Sequence, residues 1–430
     1  MKKKLYTLLL ATAIAQCLVM PVQAATVAGS GISLSDRKAP PVSGSSTSQN
    51  TGNRLSTSSR SVSESLASDE TLRRTSEVLN TTIQKLSDQL LISQVAKDGA
   101  FATNVYAAPV GGYYCEAVTT YTYTNLESDL RALKQQYSGI RYDALATTTD
   151  GRSIYHVAIG NASAPRQILV VGSIHGREYI SSQLIMRQLH ALLELAKTGG
   201  TIQGQSVAAL LETTGIHFVP MNNPDGVSLS QFGLLAVQNI ANRADFQTMI
   251  TNYRALAGYY GTEDWIFRRW KNNIRGVDIN RNFSTGWAAL DDKTYVPSMD
   301  FFKGAMPESE PETKALISVL SQYHISEILN YHSQGNVIYW NCGSSPAGVN
   351  EQSRHMAEIA KAATGYVMDS GSEGNKPSAS YKEYASACGI PSITLEVGSG
   401  SCPVPEAQIN TIWSRNQNVL NALLYDINTR

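Results

Sequence analysis

The sequence predicts an α/β fold: one domain with a mixed, mostly parallel central sheet flanked by helices. Three observations carry this. From Tyr113 onward, short apolar runs alternate with stretches of helical period, the pattern of strands and helices packed in layers. The apolar runs are continuous (Ile168, Leu169, Val170, Val171), as strands covered on both faces are. The chain has 430 residues, enough for one large catalytic domain and an appendage.

The first 24 residues read as a secretory signal. Lys2, Lys3 and Lys4 precede an apolar stretch from Leu5 to about Val22, and Val22-Gln23-Ala24 offers a cleavage site after Ala24. The stretch is short for an anchor helix and ends in Pro21 and Ala24, so no stable membrane span is expected after cleavage. Gln16 stands before Cys17 where a lipid-anchor signal wants a small residue. The expected location is secreted or periplasmic, in the cell envelope.

Without the signal, 32 basic residues face 35 acidic ones, a net charge of −3. No basic block remains, so nucleic acid is not an expected partner. Four cysteines persist: Cys115, Cys342, Cys388 and Cys402. In an exported protein that even count permits two disulfides, with three pairings open. None has the close spacing of a thiolate zinc site.

Residues 25–68 are rich in Ser, Thr and Gly and poor in large apolar side chains, and so read as a disordered linker. Residues 69–112 read as a helical spacer, with a weak period through Leu72, Val78, Leu79, Ile83 and Leu86. The folded domain spans 113–430. Within it, helices are expected at 126–137, 180–196, 311–323 and 406–426, and strands at 154–159, from Gln167, at 216–221, 327–331 and 392–397. Asn223-Pro224-Asp225-Gly226 is a turn signal. From there to Arg275 the chain reads as helical or irregular.

His175 and Glu178 follow the strand from Gln167, where an open α/β sheet places its chemistry. An imidazole and a carboxylate three residues apart can hold zinc. The spacing alone is weak, because His324/Glu327 and His355/Glu358 repeat it. The former reads as surface, the latter as a solvated pair on a helix. His332 ends another buried run, Ile328-Leu329-Asn330-Tyr331, and can reach the same sheet edge. Alone it reads as a structural histidine.

Asp278, Asn280 and Arg281 cluster in Gly276-Val277-Asp278-Ile279-Asn280-Arg281-Asn282-Phe283. Arg281 offers a planar fork suited to a carboxylate; the plain alternative is a capped turn with a surface ion pair. Glu396 lies in the apolar strand Ile393-Thr394-Leu395-Glu396-Val397, costly unless it is paired or functional.

Together and in this order, these motifs resemble the zinc carboxypeptidase family, over roughly residues 113–428. The segment Ser309-Glu310-Pro311-Glu312-Thr313 belongs to the same resemblance. It implies a carboxypeptidase A-like fold and one zinc ion held by His175, Glu178 and His332, with Asp278 orienting His175. It implies Glu396 as the general base. Asn280 and Arg281 would grip the substrate's free carboxylate, assisted by Arg177. A carbonyl-polarising arginine is also implied; Arg275 is the candidate, with Arg268, Arg269 and Lys271 as alternatives. The family's mobile tyrosine has no clear match among Tyr366, Tyr381 and Tyr384.

The compact turn before Phe283 resembles the family's bacterial branch, some of whose members hydrolyse γ-D-glutamyl–diaminopimelate bonds. The expected substrate is therefore a peptide or a murein stem peptide. The specificity pocket is expected around 378–383, where neither a cation nor an apolar side chain stands out. A binding module without activity would be expected to have lost Glu396 or a ligand, and all are present.

Overall fold

Helix α1 (Tyr123–Gln136) opens the folded domain at a capping box. Thr122 Oγ1 accepts from the Asn125 amide at 3.1 Å, and Asn125 Oδ1 accepts from the Thr122 amide at 2.9 Å. The computed structural model describes residues 109–430, apart from 259–260, 292–293, 347 and 370–375, together with residues 74, 75 and 78. The expected signal, the linker and nearly all of the spacer lie outside the described residues. No described helix is long and apolar enough to cross a membrane.

Strands β1 (Arg141–Thr147) and β2 (Ser153–Gly160) pair antiparallel across the Asp150-Gly151 turn. Sequence reading misses β1 because, as an exposed edge strand, it carries no apolar run. Then come β3 (Gln167–Gly172), α2 (Ile180–Thr198), the small hairpin β4 (Thr201–Ile202) and β5 (Gln205–Ser206), α3 (Val207–Thr213) and β6 (Gly215–Val219). Helices α4 (Pro224–Phe232), α5 (Ile240–Ala257) and α6 (Glu263–Arg268) precede a long irregular stretch. The second half holds α7 (Pro311–Gln322), β7 (Ile325–His332), β8 (Val337–Tyr339), α8 (Val349–Thr364), β9 (Val367–Met368), α9 (Tyr381–Ala387), β10 (Ser392–Glu396), α10 (Ile409–Asn416) and α11 (Val419–Thr429).

The sheet order is β1-β2-β6-β3-β7-β10-β8-β9. Its centre, β6-β3-β7-β10, is parallel; β1 runs antiparallel to β2, β2 to β6 and β8 to β10, while β9 is parallel to β8. Each face of β3 is buried by a different layer. Ile168 and Val170 pack with Leu184, Leu189, Leu420 and Leu423 from α2 and α11, whereas Leu169 and Val171 pack with Leu316 and Val319 of α7. This double burial is why the run has no polar alternation. The chain leaves β3 for β6 on one side and returns to β7 on the other. The C-terminal end of β3 is therefore the switch point of the sheet, where such folds leave a crevice.

Three readings of the elements change. Asn223-Pro224-Asp225-Gly226 starts α4 rather than forming a free turn: Asn223 caps it, accepting from the Gly226 amide at 2.9 Å, and Pro224 occupies the first turn. The last helix is divided between α10 and α11. Glu327 is buried on β7, not on the surface; it pairs with Arg430, and burial pushes its carboxyl up to about 7.

Candidate active site

Three backbone segments knit behind β3 to form the site's base. The Asn222 and Asn223 amides donate to Gly172 and Ser173 carbonyls, both at 3.0 Å, and the Gly176 amide donates to the Lys271 carbonyl at 2.8 Å. Asn223 Nδ2 bridges Ile174 O and Asn272 O, each at 3.2 Å. The segments approach so closely that a Cβ on Gly176 would lie 2.4 Å from the Gly226 backbone. Asp225 then ties α4 to the β1–β2 turn through Arg152 at 2.9 Å, a guanidinium that also meets Asp150 at 2.8 Å. The Asn-Pro-Asp-Gly motif is thus a clamp on the loop that carries His175.

On this base His175 and Glu178 converge with His332, the last residue of β7; all three are buried. Glu178 Oε1 is 2.8 Å from His175 Nδ1, and Oε2 is 2.9 Å from His332 Nδ1. The two Nδ1 atoms are 3.2 Å apart, and Glu178 Oε2 also accepts from the Ser333 amide. Burial would raise the Glu178 carboxyl, but the two imidazoles outweigh it and hold it well below its ordinary range.

Behind His175, Asp278 Oδ1 lies 3.3 Å from Nε2, and this nitrogen has no aligned hydrogen-bond partner among the described residues. Asp278 is itself fully buried. Lys271 Nζ donates to its Oδ2 at 2.6 Å, the Asn280 amide donates to its Oδ1 at 3.1 Å, and Arg281 Nε lies 3.5 Å away. Burial opposes the Asp278 charge, yet Lys271, His175 and Arg281 keep its carboxyl well below the usual range.

A cavity of about 200 Å³, open to solvent, faces the cluster. His175, His332, Asn280, Thr394 and Glu396 line it. Glu396 ends β10 and is largely buried, with part of its side chain reaching this cavity. Burial, reinforced by Glu178, pushes its carboxyl up to about 7 against the pull of His332, Lys271 and Arg177. A carboxyl in that range can take and return a proton near neutrality.

Not every expected site residue meets the cavity. Arg275 lies elsewhere: its guanidinium is half-exposed, 3.5 Å from Glu310, in a different depression with Asn252 and Pro297. The chain turns sharply at Gly276, which sends the residue before it away from Asp278. Lys271, an alternative in the sequence, is the cation on Asp278. Arg281 stacks over Phe301 at 5.0 Å, and Arg177 donates to Arg269 O at 3.2 Å while its charge reaches Glu396.

Of the tyrosines, Tyr366 accepts from Asn416, Tyr381 is in the core and Tyr384 packs on Phe283. The tyrosine lining the cavity is Tyr339. The four cysteines are free thiols, so the permitted disulfides are not formed. Cys115 is packed beside Asp129 and Arg187, Cys342 beside Asn350, Cys402 beside Ser333, and Cys388 ends α9 on the surface. In the pocket expected around 378–383, a cation does stand out: Lys382 lines the cavity. Its charge was visible in the sequence, but its direction depends on the phase of α9.

A two-histidine, one-carboxylate cluster at the switch point of a mostly parallel sheet, beside a buried acid, defines a metal-dependent hydrolase. The zinc carboxypeptidase family profile matches residues 126–419, and the chain belongs to this family. It is a zinc metallopeptidase. Gamma-D-glutamyl-L-diamino acid endopeptidase 1 of Lysinibacillus sphaericus is 27% identical over 71% of this chain and 72% of its own length. Carboxypeptidase O of Bos taurus is 25% identical over 66% of this chain and 72% of that protein. Among solved structures, carboxypeptidase A from Helicoverpa armigera shares the fold with a TM-score of 0.54 at 17% identity, covering 81% of this chain and 80% of that one.

The residues present fit a zinc ion. His175 Nδ1, His332 Nδ1 and a Glu178 oxygen all lie within 4.8 Å of one another. Two imidazole nitrogens facing each other across a carboxylate repel through their lone pairs unless one is protonated or a cation stands between them. Nitrogen and oxygen donors of this kind are those zinc takes.

Proposed function

We propose that this enzyme hydrolyses a peptide bond next to a terminal carboxylate, with one zinc ion held by His175, Glu178 and His332. The observation that carries this reading is the convergence of His175, His332, Glu396 and Asn280 on one cavity. The metal, when bound, supplies Lewis-acid polarisation of the scissile carbonyl and activation of water. Glu396 accepts the proton of the attacking water and returns it to the leaving amine. Asp278 keeps His175 in one orientation through Nε2. Asn280 and Arg281 hold the free carboxylate of the substrate, and Arg177 adds positive charge on the same side. Lys271 takes the part expected of Arg275: it stabilises negative charge growing on the carbonyl oxygen, because its ammonium is the one fixed between Asp278 and the surroundings of Glu396.

A murein stem peptide is the second reading of the substrate, with cleavage of a γ-D-glutamyl–diaminopimelate bond. It is favoured by the Lysinibacillus relative, whose name specifies a γ-D-glutamyl–L-diamino acid bond, and by the signal-like N-terminus, which supports export to the cell envelope. The zinc-loaded protein should be incubated with a diaminopimelate tripeptide and with acyl-dipeptides ending in a free carboxylate. Release of the terminal residue is expected. Cleavage of neither class removes the peptidase reading, and cleavage of acyl-dipeptides alone removes the murein one.

A further inference from the structure

We propose that Phe301 is a positioning residue of the active site: a strained turn holds its ring against both Lys271 and Arg281, and so sets where the two cations assigned to the substrate stand. This rests on the roles given to those cations above.

Asp278 alone does not fix them. Lys271 Nζ and Arg281 Nε approach the same oxygen of Asp278, Oδ2, at 2.6 and 3.5 Å. Two positive groups crowded on one carboxylate oxygen repel each other, and each can swing about it. The Phe301 ring supplies a second anchor. Lys271 Nζ lies 4.8 Å from its centroid, and the central carbon of the Arg281 guanidinium lies 5.0 Å from it. The face of an aromatic ring carries negative charge density, so it attracts both cations, and its rigidity limits where each can go.

The backbone is strained where it places this ring. Phe301 has a φ of +62°, in the left-handed region that a bulky side chain avoids. The Phe302 amide donates to the Asp300 carbonyl at 2.9 Å, closing a three-residue turn around Phe301. With positive φ at its centre this is the rare, strained form of the γ-turn. Such a conformation persists only where its surroundings impose it. Before Phe301, Met299 O accepts from the Lys271 and Asn272 amides at 2.9 and 3.1 Å, and Ser298 Oγ donates to Asp300 O at 2.8 Å. After it, Phe302 O accepts from the Asp278 amide at 2.7 Å, and Lys303 O accepts from Asn282 Nδ2 at 2.9 Å. Two of these donors are the backbone amides of Lys271 and Asp278, so the turn is built on the residues whose charges it arranges.

Core packing does not account for the strain. Phe301 is half-buried and, among the described residues, belongs to none of the apolar clusters of the interior. Asp300, the residue before it, has its carboxyl in the field of the same cations, Lys271 and Arg281, together with Arg177. The turn thus presents a ring and a carboxylate to the positive side of the site.

The test uses zinc-loaded full-length protein and an acyl-dipeptide ending in a free carboxylate. Phe301→Leu keeps an apolar side chain and loses the ring face. Its kcat is expected to fall and its KM to rise, each roughly 3- to 30-fold, the first through Lys271 and the second through Arg281. Phe301→Tyr keeps the face and should restore most of both. A positioning role also predicts losses that do not multiply. Phe301→Leu added to Lys271→Met should lower kcat further by less than about twofold, and added to Arg281→Met should raise KM further by less than about twofold. Losses that multiply in either double variant, a tyrosine variant as poor as the leucine one, or unchanged kcat and KM in Phe301→Leu overturn the proposal. Failure of the peptidase reading shows separately, as absence of cleavage by the wild type. The position of the cation is then read directly, as the rate of reductive methylation of Lys271 followed by peptide mass spectrometry. That rate is expected to rise at least about threefold in Phe301→Leu and to return to the wild-type rate in Phe301→Tyr. Equal rates in wild type and Phe301→Leu, or the same rise in both variants, overturn the proposal.

Discussion

Glu396 and His332 occupy the same register position on the adjacent parallel strands β10 and β7, each as the last residue of its strand. Side chains at one register position of a parallel pair leave the sheet on the same side. The proposed base and the proposed ligand are thus fixed by backbone hydrogen bonds, which strand pairing holds more firmly than a loop can.

Glu396→Gln preserves the shape of the acid and removes its proton chemistry. Peptide turnover is expected to fall by roughly 10²- to 10⁴-fold, with zinc content unchanged by metal analysis. Turnover within a few-fold of wild type would show that another group takes the proton.

Removing a ligand should separate metal from fold. His332→Ala is expected to lose its zinc on dialysis, while wild-type protein retains one ion per chain. Asp278→Asn should keep the ion but weaken its affinity about 10- to 100-fold in a chelator competition. Full retention of zinc by His332→Ala would break the assignment.

Lys271 and Arg275 are distinguished by kinetics. Lys271→Met is expected to lower kcat about 10²- to 10³-fold, the usual loss for a donor to a developing oxyanion. Arg275→Met, which removes a guanidinium paired with Glu310 away from the cavity, should alter kcat by less than about threefold. The opposite ranking would restore Arg275 to the role.

Gly176→Ala would drive a Cβ into the Gly226 backbone, 2.4 Å away. The clamp must open, and a loss of about 2 kcal/mol or more in unfolding free energy is expected, together with weaker zinc binding. A wild-type denaturation midpoint in this variant would show that the contact is soft.

His217 is buried between His156 Nε2 at 2.9 Å and Gln167 Oε1 at 2.6 Å, and burial pushes its pKa down to about 3. An unfolded histidine titrates near 6.5. Between those values the unfolded chain binds the extra proton, so this group's stabilising effect is complete above pH 6.5 and is lost as pH falls toward 3. From pH 7 to pH 5 it should cost about 2 kcal/mol of unfolding free energy in urea titrations. His217→Gln should flatten that slope; an identical slope would place the acid sensitivity elsewhere.

The sequence by itself determined the α/β class, because apolar runs of strand length and helical periods are local patterns. It also marked the residues able to do chemistry, since an acid inside Ile393–Val397 and a histidine after Ile328–Tyr331 are anomalies that can be seen without coordinates. Edge strand β1 and the break between α10 and α11 left no comparable signal. Only the tertiary structure decided direction and partnership. It sent Arg275 to Glu310 and Lys271 to Asp278, two cations four residues apart, Arg275 standing directly before the turn at Gly276. It turned Lys382 to line the cavity. The physical reason is that a side chain's chemistry is fixed by its covalent structure, whereas its pKa, its partners and its access to a ligand depend on which distant segments pack against it.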